Sequence, residues 1–249
     1  VINNDPKVSE KTRIKVQKVI EKYSYVMNEN ARSLRLKQSK AIGFLISNFN
    51  NPFFVAAYDG LEAVCKKRGY NVIIGNTNED PYQEKEAIDL FLRYQVVGIV
   101  GCFVQLDDTT ITKIKRHNIH LVALDRRIKG MDTDTIEIDN IGGAREQVRY
   151  IAELGHTKIG VIHGRIRGDS PGEERLRGFF EEMKQQGIPV RKEYIKNAEF
   201  LEQNSYHATV ELLKLPDSPT AIITHNNLMC IGAYKALKDL KVSIPKDVS

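Results

Sequence analysis

A chain of 249 residues, 41% hydrophobic and 28% charged, can bury a sizeable core and suits one or two globular domains with an appendage. No run of about 18 uncharged apolar residues occurs and no basic stretch followed by an apolar one opens the chain, so the sequence reads as cytoplasmic, with no membrane partner. The net charge of +5 is uneven: residues 1–40 carry ten Lys or Arg against four acids, or +6, which leaves −1 for the rest, as expected of an arm that meets phosphates or of a solvated helix face.

Ser9 is placed to cap a helix over residues 10–23, on which Val16, Val19, Ile20 and Tyr23 follow an i, i+3, i+4, i+7 spacing and form one apolar face opposite a lysine-rich one. After a polar break, Asn28 can cap a second helix through Leu36, too short to be stable alone. Lys37-Gln38-Ser39-Lys40 reads as a linker. From Ala41 the rhythm changes to short apolar runs separated by amphipathic stretches: strands are predicted at 41–47, 70–76, 96–104 and 120–125, with a short run at 135–138. A long helix at 141–154 follows, then strands at 158–163 and 220–224 and helices at 172–186, 203–214 and 227–240. This alternation means βαβ units and parallel sheets, most simply two doubly wound α/β lobes. Gly69 and Gly155 fall where helix C-terminal glycines belong. The chain stops at Ile244–Ser249, where the rhythm calls for another strand, so an incomplete C-terminus is expected.

Cys65, Cys102 and Cys230 are far apart, lie in apolar surroundings and form no C-x-x-C pair, so buried free thiols are expected, with no metal site, no disulfide and no cofactor. Dinucleotide, phosphate-loop, zinc-protease and serine-elbow motifs are absent, and no catalytic residue is assigned. His163 and His225 each end a predicted strand and can reach a crevice or serve as structural histidines.

Several motifs in order carry a resemblance: V-I-N-N-D-P-K-V-S-E-K-T-R at the start, A-R-S-L at 31–34, N-P-F-F at 51–54, Asp125-Arg126, I-D-N-I-G-G-A at 138–144, L-G-H-T-K-I-G-V-I at 154–162, E-R-L-R-G-F at 174–179 and P-T-A-I-I-T-H-N-N at 219–227. Together they resemble the lactose-repressor (LacI/GalR) family of bacterial transcriptional regulators along essentially the whole chain. The resemblance implies a remnant of a helix-turn-helix headpiece at 1–27, a hinge helix and linker at 28–40, and a two-lobed, periplasmic-binding-protein-like effector domain at 41–249, with lobes at about 41–140 and 141–249. It implies a homodimer on a double-stranded DNA operator, with Asn28, Ala31, Arg32, Leu34 and Arg35 as DNA-contacting residues and Leu34 wedged between base steps in the minor groove. Two departures stand out: Met27 replaces a common proline before the hinge, and Asn227 a common aspartate.

In such a fold a ligand binds beyond the carboxyl ends of the strands, between the lobes. The candidate effector-binding residues are Phe53, Phe54, Asn78, Asp125, Arg126 and Asp139 from the first lobe and its exit, and Arg175, Phe200 and Asn226 from the second. Aromatic faces stack on a sugar ring or a purine, while Asp, Asn and Arg supply acceptors and donors, so a small polar effector is expected: a sugar, a sugar phosphate or a nucleobase. Plainer readings stand beside these: Phe53 or Phe54 as core, Asp139 as a helix cap, Arg175 as a surface charge. The alternative function is a sugar-binding protein of a transport system.

Overall fold

Successive side chains of β1 (Ala41–Ile46) enter different cores. Leu45 packs with Ile88, Phe91, Ile99 and Ile114, whereas Phe44 and Ile46 pack with Phe54 and Cys102. A strand alternates its side chains between two faces, so this one is covered on both. The covers are α2 (Pro52–Lys67), which carries Phe54, on one side and α3 (Pro81–Arg93) with α4 (Asp108–Arg116) on the other. With β2 (Asn71–Asn76), β3 (Gly98–Gly101), β4 (His120–Leu124) and β5 (Asp134–Ile136), β1 forms an all-parallel sheet in the order β2-β1-β3-β4-β5.

The structure is a computed structural model that describes residues 1, 6–25, 39–166 and 170–249. Asn28, Ala31, Arg32, Leu34 and Arg35, with the helix expected there, lie outside the described residues. Before them, α1 (Glu10–Lys22) starts where Ser9 accepts a hydrogen bond from Thr12 N, and it buries no side chain among the described residues.

The second lobe repeats the plan on a smaller scale. It comprises α5 (Asn140–Glu153), β6 (Ile159–His163), α6 (Pro171–Gln185), a 3-10 turn at Lys192–Tyr194, β7 (Ile195–Asn197), α7 (Glu202–Leu213), β8 (Ala221–Thr224) and α8 (Asn227–Asp239). The strands are parallel in the order β7-β6-β8. Ile159 and Val161 of β6 pack with Phe179 and Met183, and Ile162 packs on the other face with Leu212 and Met229. Beyond β8, Ser249 donates to Thr220 O and accepts from Ile222 N.

Two expectations need correction, and one element was not foreseen. The strand foreseen at 96–104 is confined to Gly98–Gly101, because the carboxylate of Glu84 captures the N–H groups of Val104 and Gln105 and draws the backbone out of the ladder. The polar segment Ile195-Lys196-Asn197 forms an edge strand that no apolar pattern announced. Cys65 and Cys102 are buried free thiols, but Cys230 is exposed, since the inward positions of α8 are taken by Leu228, Met229, Gly232, Ala233 and Ala236. Gly69 and Gly155 do terminate helices at φ +73° and +88°.

Candidate functional site

In a parallel sheet every strand delivers its chain to the same edge, and the following helix starts there. Both lobes turn that edge toward one cleft of about 680 Å³, within the size range of small-molecule sites. All nine candidate residues line it: Phe53, Phe54, Asn78, Asp125, Arg126, Asp139, Arg175, Phe200 and Asn226.

Each arrives by a definite local device. Phe53 and Phe54 occupy the first turn of α2, which Asn51 caps by accepting from Phe53 N; their rings meet edge to face at 5.1 Å, with Phe54 buried in the first-lobe core and Phe53 turned outward. Asp139 and Asn226 are themselves N-caps, accepting from Gly142 N and Met229 N at 2.8 Å each, so the capping reading of Asp139 holds and it lines the cleft as well. Asn78, Glu79, Asp125, Glu199 and Phe200 all have left-handed φ values between 49° and 69°. They make up five of the nine non-glycine residues in that region among the described ones, and the strain of such a backbone gathers where strands open into the cleft.

The ring of Phe200 lies so close to Gly164 and Gly172 that a Cβ at either would overlap it. Arg175, from α6, donates through Nε to Asn140 Oδ1 at 2.8 Å and through Nη1 to the backbone carbonyl of His225 at 2.5 Å. Asn140 in turn donates to Glu174 at 2.8 Å, so α5, α6 and the end of β8 are tied together beneath the cleft and Arg175 is no surface charge.

The charges are largely matched from within. Arg126 holds Glu79 in a two-point ion pair, with both side chains under 15% exposed. Burial alone would raise Glu79, but Arg126 brings it below the usual carboxylate range. Arg165 pairs with Glu199 within the second lobe and reaches the carbonyl of Glu79 in the first at 3.4 Å, a polar contact across the cleft. Asp125 is raised by burial, with Arg175 and Arg126 opposing, and Arg175 is lowered by its own burial. Among the described residues no group of His, Cys, Asp and Glu is arranged to hold a metal ion.

Glu79, Asn140, Arg165 and Glu199 were not foreseen. Asn78 and Phe200 were expected singly, whereas the left-handed turns after β2 and β7 each present two residues, Asn78-Glu79 and Glu199-Phe200. Asn140 sits one residue past its cap and is 4% exposed, a burial that only helix packing produces.

Residues 42–248 match the periplasmic binding protein domain family. The chain is 30% identical to the HTH-type transcriptional repressor PurR of Proteus mirabilis, with 100% of this chain and 73% of that protein aligned. The chain belongs to the LacI/GalR family of transcriptional regulators. The ribose operon repressor of Escherichia coli is 29% identical over 100% of this regulator and 76% of its own length. A crystal structure of a LacI-family regulatory protein from Chloroflexus aggregans superposes with a TM-score of 0.69 at 26% identity, covering 85% of this regulator and 77% of that chain. These similarities confirm two parallel-sheet lobes of the periplasmic-binding-protein type and a role in transcription regulation. Among the described residues no helix is long and apolar enough to cross a membrane.

Proposed function

We propose that this regulator binds a small polar effector, a sugar or a compound of similar size and polarity, in the cleft between its lobes, and that occupancy controls its affinity for an operator. The carrying observation is that nine residues of four side-chain kinds, Phe, Asn, Asp and Arg, spread from Phe53 to Asn226, line a single cavity. Phe53 and Phe200 supply faces for a ring, and Asn78, Asp125, Arg126, Asp139, Arg175 and Asn226 supply donors and acceptors around it. An effector touching both lobes favours the lobe arrangement it fits, and linkage passes that preference to whatever DNA-binding segment the first lobe carries.

The chain acts in the cytoplasm in this reading, as a homodimer on double-stranded operator DNA, with Asn28, Ala31, Arg32, Leu34 and Arg35 meeting the duplex. The exposed apolar side chains of α2 and β2, Val55, Val64 and Ile74, offer the first lobe a surface for pairing. No chemistry is assigned to the cleft: Arg126 and Arg165 are engaged by Glu79 and Glu199, Arg175 by Asn140 and the His225 carbonyl, and Asp139 by the N-terminus of α5.

The test is thermal unfolding against pentoses, hexoses, sugar phosphates and nucleobases. A compound that binds only the native state adds about 2.7 kcal/mol at 100 times its Kd. One member of the panel is expected to raise Tm in the parent and to alter retention of DNA selected from a random pool; a panel without any such compound overturns the assignment of the cleft.

A further inference from the structure

Among the described residues, five buried side-chain atoms have no hydrogen-bond partner, and two of them are the ring nitrogens of one residue, His225. The residue is 4% exposed, follows β8 directly and lines the cleft. Its carbonyl is held by Arg175, which fixes the backbone, while no described residue holds the imidazole. Neighbouring His163 differs: its Nδ1 is engaged by the carbonyl of Gly164, and it does not line the cleft. A buried donor and acceptor left unmatched weaken a fold unless something else meets them, and such atoms inside a cavity wall mark where a bound molecule can. Burial, with Arg175 and His163 beside it, pulls His225 down to about 3, so the ring is uncharged at neutral pH and offers one donor and one acceptor.

The cleft's charges narrow the partner further. Its described cations are Arg126, Arg165 and Arg175, facing the carboxylates Glu79, Asp125, Asp139 and Glu199. Two of the three guanidiniums are already in ion pairs, and Arg175 is in the field of Asp125. Helices α2, α5, α6 and α8, whose N-termini would otherwise attract an anion, are each capped by a side-chain oxygen, from Asn51, Asp139, Ser170 and Asn226. Among the described residues of the cleft, a phosphate would meet more fixed negative charge than unpaired positive charge.

We propose that His225 is a ligand-reading residue of this cleft and that what it reads is uncharged: a free, unphosphorylated pentose or hexose, whose hydroxyls donate and accept at once and so match both ring nitrogens. The inference rests on the cleft being the effector site.

Calorimetric titration of the parent, His225→Leu and His225→Gln with D-ribose, L-arabinose, D-xylose, D-glucose, D-galactose and D-mannose, each beside a phosphate ester, tests it. At least one free sugar is expected to bind the parent at least about 10-fold more tightly than its ester. His225→Leu should unfold, without sugar, at the parent's temperature or above, because unmatched polar atoms are gone, yet bind that sugar about 10- to 100-fold more weakly. His225→Gln, which keeps a donor and an acceptor, should recover part of the loss. An ester that binds as tightly as its parent sugar overturns the uncharged ligand while leaving the cleft as a binding site. A His225→Leu protein that binds sugar normally, or loses ligand-free stability, overturns the role of the imidazole. If neither sugars nor esters bind the parent but a nucleobase of the unfolding panel does, this inference falls and the cleft remains an effector site; if nothing in either panel binds, the effector reading falls as well.

Discussion

Arg126 and Glu79 meet fork to fork, Nη2 to Oε1 at 2.8 Å and Nη1 to Oε2 at 3.1 Å, although 47 positions separate them in sequence. They follow β4 and β2, between which β3 and β1 lie in the sheet, so the pair spans the cleft edge of the first lobe. Removing one partner strands the other charge in a poorly solvated place. Glu79→Gln or Arg126→Met alone is expected to cost about 3–5 kcal/mol, and the double variant markedly less than the sum. Urea denaturation of the four proteins measures this; additive losses would show that the two residues act independently.

Arg175 holds α6 to Asn140 and to the carbonyl of His225 with two different nitrogens, a geometry that a lysine cannot copy. Arg175→Ala and Arg175→Lys should both abolish the thermal shift given by the panel compound that stabilises the parent. They should also lower ligand-free stability by about 1–3 kcal/mol, since Asn140 and the carbonyl lose a donor. A lysine variant that responds like the parent would mean that charge alone, not the fork, is what Arg175 supplies.

Glu182 sits on α6 with its side chain fully covered, accepting from Gln186, Arg149 and Arg145. Those hydrogen bonds hold its carboxyl down at about 2, against an ordinary value of 4.5. A carboxyl lowered on folding contributes stability that is present above its unfolded value and is lost as pH falls toward the folded one. The parent's Tm should therefore decline from about pH 5 to pH 3 more steeply than that of Glu182→Gln. At pH 7 the variant should be less stable by about 1–3 kcal/mol, a moderate figure because both arginines are more than a third exposed. Parallel Tm curves for the two proteins would remove Glu182 from the pH dependence.

Gly164 ends the strand-to-loop path after β6 with the ring of Phe200 lying over it, so Gly164→Ala must push that ring away. The expected cost is about 1–3 kcal/mol of stability, as for overpacking elsewhere, together with a smaller thermal shift from whichever panel compound stabilises the parent. Phe200→Ala should lose binding with Gly164 intact, and adding Gly164→Ala to it should cost little more. A double variant with fully additive losses would indicate that the two positions do not share one contact.

The β1 pattern, the strand–helix rhythm and the helix-ending Gly69 and Gly155 were legible because they depend on side-chain period and on backbone freedom, both local properties. The cleft residues that directly follow strands or begin helices were legible for a similar reason: in a parallel fold, position in the rhythm gives position at the sheet edge. Cys230 was misjudged because an apolar neighbourhood in sequence says nothing about which side of a helix faces inward. β7 was missed because an edge strand borrows its order from β6 and needs no apolar pattern of its own.

By itself, then, the sequence determined two doubly wound lobes, their strand ends and the polar, aromatic character of what gathers there. Tertiary structure alone decided which charges cancel. Glu79 finds Arg126, Arg165 finds Glu199, and Asn140 is fixed between Glu174 and Arg175 only after sheets and helices have brought distant segments to one edge. It also decided that the His225 ring is left without a partner among the described residues, because satisfaction of a buried polar atom is a property of everything around it, which no local pattern contains.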